Sequence, residues 1–175
     1  MNYKTEKQMY GDVSRWLYTL LASKFPNAHI DVRDTHASPL NEYIKKHSSL
    51  QVYFKGDLWQ TYDIYVDLTA FIQSDKHTGL VFVECKIIPI SLLHISQLLG
   101  YSRVALPLFS YLISSADIGK AVKSLIMRYD RTDILEYYWE KGKFPRRVII
   151  AKWDVSSKSI DLTMVLPPGT SGLLS

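Results

Sequence analysis

Glu84, Cys85 and Lys86 close an apolar run, Val81-Phe82-Val83. On a strand, side chains two apart share a face, so Glu84 and Lys86 project together while Cys85 turns the other way. Burying a charge is costly unless it is paired or holds a metal. A carboxylate and an ammonium side by side at the end of a core strand therefore mark a site. With an aspartate on a neighbouring strand they would make a metal-dependent phosphodiesterase centre. Asp63 and Asp67 precede them, and both fall on one face of a strand. Gln97 and Tyr101 follow, four residues apart and so on one helical face.

Several elements must position these residues. Met9, Val13, Trp16, Leu17, Leu20 and Leu21 recur at helical spacing and predict an amphipathic helix over 5–24. Weak alternation over 28–33 suggests a first strand, and Ser38-Pro39 opens a short helix over 40–46. A short strand is expected at 51–54. Residues 59–72 read as a strand, with Ile64, Val66 and Leu68 on one face and Asp63, Tyr65, Asp67 and Thr69 on the other. Polar residues 73–79 suit a hairpin loop, and 80–88 is the returning, central strand. Residues 91–104 form a helix capped by Ser91, and 108–114 form another buried strand. Helices over 117–129 and 133–141, a hairpin of 147–153 with 159–165, and a loose Pro/Gly/Ser-rich tail from 166 complete the reading. The expectation is one α/β domain over 1–175, its central sheet flanked by helices.

The order of aspartate strand, Glu-x-Lys strand and Gln/Tyr helix resembles the PD-(D/E)XK nuclease superfamily. Gln-Leu-Leu-Gly-Tyr at 97–101 is similar to the Gln-x-x-x-Tyr motif of its RecB and lambda-exonuclease-like branch. The matched core covers about 5–114. The resemblance implies a restriction-endonuclease-like fold: a mixed central sheet flanked by helices, here with a C-terminal helix and β-hairpin extension over 115–165. It implies a DNA nuclease, with RNA left open, acting in repair, recombination or junction processing, often as a homodimer. Mg²⁺ or Mn²⁺ would be held by Asp63 or Asp67, by Glu84 and by the Cys85 backbone carbonyl. Lys86 would orient the attacking water or neutralise developing charge, and Gln97 and Tyr101 would contact DNA or position Lys86.

Two arguments choose different aspartates. Tyr62-Asp63-Ile64 resembles the family's Pro-Asp-Ile/Val motif, with tyrosine for proline, and favours Asp63. A hairpin centred near Asp75 or Lys76 sets Glu84 opposite Asp67. Many relatives carry another acidic residue on the first helix, where Glu6 and Asp12 are the candidates. For Glu6 the competing reading is an exposed first-turn carboxylate that favours the helix dipole. Some RecB-like families use an upstream histidine, which has no counterpart before His29. His94 borders Gln97 and reads as a structural histidine or a neighbour of the site.

Composition narrows the alternatives. With 47% hydrophobic and 22% charged residues, 175 residues suit one ordered domain rather than a disordered chain. A net charge of +4 permits a polyanionic partner without demanding one. One cysteine and dispersed histidines exclude a disulfide framework and argue against zinc. Gly-x-Ser-x-Gly and glycine-rich phosphate loops are missing, which argues against serine hydrolase and ATPase chemistry. No apolar signal core and no bilayer-length apolar stretch occurs, so a cytoplasmic protein without a membrane partner is expected. The competing functional class is a non-catalytic nucleic-acid-binding or assembly protein that retains the nuclease fold.

Overall fold

Helix α1 (Lys7–Lys24) buries most of the stripe its spacing predicts: Met9, Val13, Leu17, Leu20 and Leu21 lie inside, and Trp16 is partly buried beside them. In the computed structural model, which describes residues 3–75 and 78–174, this helix packs on one face of a mixed sheet. Strand β1 (His29–Asp34) pairs antiparallel with β2 (Leu68–Gln73), and β2 pairs antiparallel with β3 (Thr78–Lys86). β4 (Phe109–Ser114) is parallel to β3, and β6 (Arg146–Asp154) is parallel to β4. β5 (Glu136–Tyr138) and β7 (Ser159–Leu166) both pair antiparallel with β6, near its start and along its second half. Among the described residues the sheet has seven strands in the order β1-β2-β3-β4-β6-β5, with β7 also on β6.

The α/β architecture follows from where the apolar side chains go. Val81, Val83, Cys85, Tyr111 and Ile113 meet α1 on one face. Leu80, Phe82, Leu112, Val148 and Ile150 meet α2 (Leu40–Lys46), α3 (Leu92–Ala105) and α4 (Lys120–Lys123) on the other. β3 and β4 are buried on both faces, as parallel strands under helices must be. The α3 crossover carries the chain from the end of β3 back to the start of β4. Both α1 and α3 thus begin near the end of β3 that carries Glu84 and Lys86.

Several expectations are corrected. The strand expected over 59–72 joins the sheet only from Leu68; Leu58–Thr61 is a 3₁₀ turn, and Tyr62 O and Ile64 O in between accept the Asn41 and Leu40 N–H groups. Ile64 and Val66 pack in the α3-side core, whereas Leu68, Ala70 and Ile72 pack in the α1-side core. The face therefore switches at a bend on Asp67, so Asp63 and Asp67 do not share one continuous strand face. Thr35 fixes this bend. Its N–H donates to Asp67 O at 2.9 Å, and its buried hydroxyl donates to Val66 O at 2.7 Å and meets Thr69 Oγ1 at 2.9 Å.

The strand expected at 51–54 is also a 3₁₀ turn, Ser48–Tyr53. The helix expected over 133–141 is replaced by a 3₁₀ turn, Thr132–Leu135, and by β5, where tyrosines of high strand propensity find β6 as partner. The tail is not loose through 174. Leu174 is buried, Tyr111 Oη donates to Leu173 O at 3.2 Å and Lys24 Nζ donates to Gly172 O at 3.1 Å. Lys76 and His77 of the expected hairpin loop, Met1 and Asn2 of the N-terminal segment, and Ser175 of the tail lie outside the described residues. Among the described residues no helix is long and apolar enough to cross a membrane.

The loops after β3 and β4 are stitched together beside the site. Ile90 N–H donates to Asp117 O at 3.0 Å, and Gly119 N–H donates to Ile90 O at 2.9 Å. A Cβ at position 119 would come within 2.5 Å of that same carbonyl oxygen. Gly119→Ala is expected to destabilise the fold by about 1–3 kcal/mol through this overlap. Urea unfolding checks it, and an unchanged midpoint would refute the close approach.

Candidate active site

Three carboxylates converge on one ammonium at the C-terminal end of β3. Lys86 Nζ lies 3.3 Å from Glu84 Oε2, 3.4 Å from Glu6 Oε2 and 3.9 Å from Asp67 Oδ2. Each comes from a different place in the chain: Glu6 from the start of α1, Asp67 from the bend before β2, and Glu84 and Lys86 from β3 itself. The β2–β3 register, Leu68 opposite Val83, explains the meeting, since one step further sets Asp67 opposite Glu84. The hairpin argument for Asp67 therefore describes the geometry. Asp63 is exposed, and its backbone N–H closes a turn onto Thr61 O at 2.9 Å. Among the described residues no hydrogen bond or ion pair joins Asp63 to Glu84 or Lys86.

Asp67 is clamped at both oxygens. Oδ2 accepts the Cys85 backbone N–H at 2.8 Å, replacing the ladder partner that β2 no longer supplies beyond Leu68. Oδ1 accepts the Tyr10 hydroxyl at 2.6 Å. Tyr10 sits one turn after Glu6 on α1, so both residues face the end of β3. The Cys85 side chain packs into the α1-side core, as alternation requires, and burial pushes its thiol well above the usual range.

The electrostatics follow from burial and from numbers. Glu84 is only 3% exposed, and its Oε1 has no hydrogen-bond partner among the described residues. Burial, then repulsion from Asp67, pushes its pKa above the usual carboxylate range, and Lys86 offsets only part of this. Burial alone would lower the Lys86 ammonium, but Glu84, Asp67 and Glu6 outweigh it and hold the pKa above the ordinary value. The two directions agree: Lys86 is shared among three carboxylates, so buried Glu84 receives less than its full charge. Burial, then the bond to Asp67, pushes the Tyr10 hydroxyl far up, so it remains a donor. Burial, then the Lys86 charge, lowers the pKa of His94.

Helix α3 borders the site with its capped end. The Ser91 hydroxyl accepts a backbone N–H of the first turn, and His94 Nδ1 accepts the Ser91 N–H at 3.2 Å, so histidine fills a role usually taken by Glu or Gln. Neutral His94 then carries its proton on Nε2. Gln97 and Tyr101 are bonded to each other, Nε2 to Oη at 3.2 Å. They lie about 9 and 15 Å along the helix from Ser91 at its 1.5 Å rise. Among the described residues no hydrogen bond joins either of them to the carboxylate cluster. Asp12 is directed elsewhere, onto Tyr3, Arg15 and Lys158.

The donor set suits a hard divalent cation. Three carboxylates against one ammonium leave a formal excess of two negative charges. Glu84 Oε1 is a buried oxygen without a partner among the described residues, and carboxylate oxygens are the ligands Mg²⁺ and Mn²⁺ prefer. Among the described residues no three His, Cys, Asp or Glu side chains already form a metal cage; the carboxylates gather about Lys86 instead. Tyr10 and Thr35 were not legible as site residues, although Tyr10 has a signal in its i+4 spacing from Glu6. No family model, curated protein or solved structure matches the chain.

Proposed function

We propose that the chain is a metal-dependent nuclease of the PD-(D/E)XK type, with a restriction-endonuclease-like core, hydrolysing phosphodiester bonds in DNA. One observation carries the reading: Asp67, Glu84 and Glu6 surround Lys86 at the end of a buried strand, with Glu84 Oε1 unpartnered among the described residues. Asp67 and Glu84 would hold Mg²⁺ or Mn²⁺, with Glu6 as a third carboxylate and the Cys85 carbonyl beside them. Such an ion, when bound, would polarise the scissile phosphate and make the attacking water more acidic. Lys86 donates to the attacking water or to a non-bridging oxygen, offsetting charge that grows as phosphorus becomes five-coordinate. His94, Gln97 and Tyr101 form a stripe along α3 that leads away from the cluster and offers donors to the DNA backbone.

A second reading, a nucleic-acid-binding or assembly protein without catalysis, is favoured by the pairing already present in most of the cluster. Lys86 already pairs with three carboxylates, and Asp67 already caps Cys85.

Incubation with linear, nicked and branched DNA, and with RNA, plus Mg²⁺ or Mn²⁺ separates the two. The nuclease reading expects metal-dependent cleavage that Lys86→Ala slows about a hundredfold, the scale of losing one charge-stabilising donor. No cleavage of any substrate, or equal cleavage by the variant, would overturn it. The second reading expects binding without metal and with a steep salt dependence.

A further inference from the structure

We propose that Tyr10 is a positioning residue for Asp67, setting its carboxylate for a divalent cation before any cation arrives. The inference rests on the reading of Asp67 as a metal-facing carboxylate. Asp67 has two independent restraints. The Cys85 N–H at 2.8 Å comes from the sheet and holds Oδ2, while the Tyr10 hydroxyl at 2.6 Å comes from α1 and holds Oδ1. One restraint leaves the carboxylate free to rotate about that bond; two fix its plane. The phenol is itself held. Tyr10 is 6% exposed, its ring packs against the His36 ring at a centroid distance of 5.3 Å, and His36 is tied to Asp34.

The contrast with Glu84 is informative. Glu84 has one oxygen on Lys86 and one without a partner among the described residues, whereas both Asp67 oxygens are engaged. Asp67 is the pre-set carboxylate and Glu84 the one with capacity to spare. Groups that hydrogen-bond a metal ligand orient it and tune its basicity, and losing one typically weakens metal binding 10- to 100-fold. Tyr10 stands in this relation to Asp67, and Glu6, one turn earlier, reaches the same cluster. The first helix is therefore part of the site and not only a cover for the sheet.

The test is Mn²⁺ binding to the full chain, followed by the EPR signal of free Mn²⁺, with no nucleic acid present. Tyr10→Phe removes one oxygen and keeps the ring, and it is expected to raise the Mn²⁺ Kd roughly 10- to 100-fold. Tyr53→Phe, which removes a hydroxyl bonded to His29, is expected to leave it within twofold. In the unmutated protein, saturating Mg²⁺ is expected to move the ¹³Cζ resonance of labelled Tyr10, a readout that does not depend on the variant folding. An unchanged Kd in folded Tyr10→Phe, or an unmoved resonance while Mg²⁺ binds, overturns the assignment of Tyr10 alone. If the unmutated protein binds no Mn²⁺, the metal reading and this inference fail together.

Discussion

Asp67→Asn is expected to reduce metal-dependent cleavage by about a thousandfold or more, while Asp63→Asn stays within about twofold of the unmutated protein. The asymmetry comes from the bend before β2. Asp67 Oδ2 is 3.9 Å from Lys86 Nζ and on the Cys85 N–H, and Asp63 is exposed four residues upstream. Asparagine removes a negative charge from the proposed ligand set, which should also weaken Mn²⁺ binding. It also presents one acceptor oxygen where the carboxylate presents two, so either the Tyr10 O–H or the Cys85 N–H loses its acceptor. Leaving such a buried donor unsatisfied costs about 1–3 kcal/mol. The same substitution should therefore lower the unfolding midpoint, whereas Asp63→Asn should not. Cleavage rates, Mn²⁺ binding and thermal unfolding on the two variants decide the matter. Loss of cleavage in Asp63→Asn with retention in Asp67→Asn would reverse the assignment.

What could be read in advance here depends on how local the cause is. Helix α1, β3, β4 and the β6–β7 hairpin follow from patterns a few residues long: a helical stripe, a run of β-branched residues, a turn. The choice between Asp63 and Asp67 does not. Alternation carried through Ile64, Val66 and Leu68 puts both aspartates on one face, but the face switches at the bend, where Thr35, just beyond the end of β1, bonds Val66 O and Asp67 O. Thr35 lies 32 residues away and its type is unremarkable, so no local pattern announces it.

The C-terminal part repeats the lesson. Residues 133–141 have a plausible helical spacing, yet Tyr137 and its neighbours are taken up by β6 across an irregular pairing. Tertiary pairing overrides local propensity there. Residues 166–174 look like a tail by composition, but Leu174 has a place in the α1-side core. At the site, Glu84 and Lys86 were legible because charge at the end of an apolar run is anomalous in itself. Tyr10 was not, since a tyrosine on the apolar face of an amphipathic helix is ordinary until its hydroxyl is seen on Asp67.

Glu84→Gln is expected to have two large effects of opposite kind: loss of cleavage by about a thousandfold and gain of stability in the metal-free protein. The first follows from removing the buried carboxylate that a cation would need. The second follows from the cost of that carboxylate when no cation is present. A carboxyl whose pKa is higher in the folded than in the unfolded chain takes up a proton on folding, so its contribution to stability falls as pH rises between the two values. For Glu84 the window runs from near 4.5 to about 8, burial being the main cause. Metal-free protein should thus lose stability from this group as pH is raised from 5 to 8. Glutamine has no such titration and should remove that part of the slope. At pH 8 it should stabilise the fold by about 1–3 kcal/mol, because the amide is cheaper to bury than the carboxylate. Lys86 is not stranded by the change, since Glu6 and Asp67 still pair with it. Added Mn²⁺ should reverse the ranking, stabilising the unmutated protein and leaving Glu84→Gln unmoved. Unfolding midpoints of both proteins at pH 5 and pH 8, with and without Mn²⁺, measure all of this. A variant less stable than the unmutated protein at pH 8 without metal would mean that Glu84 contributes more through Lys86 than it loses by burial.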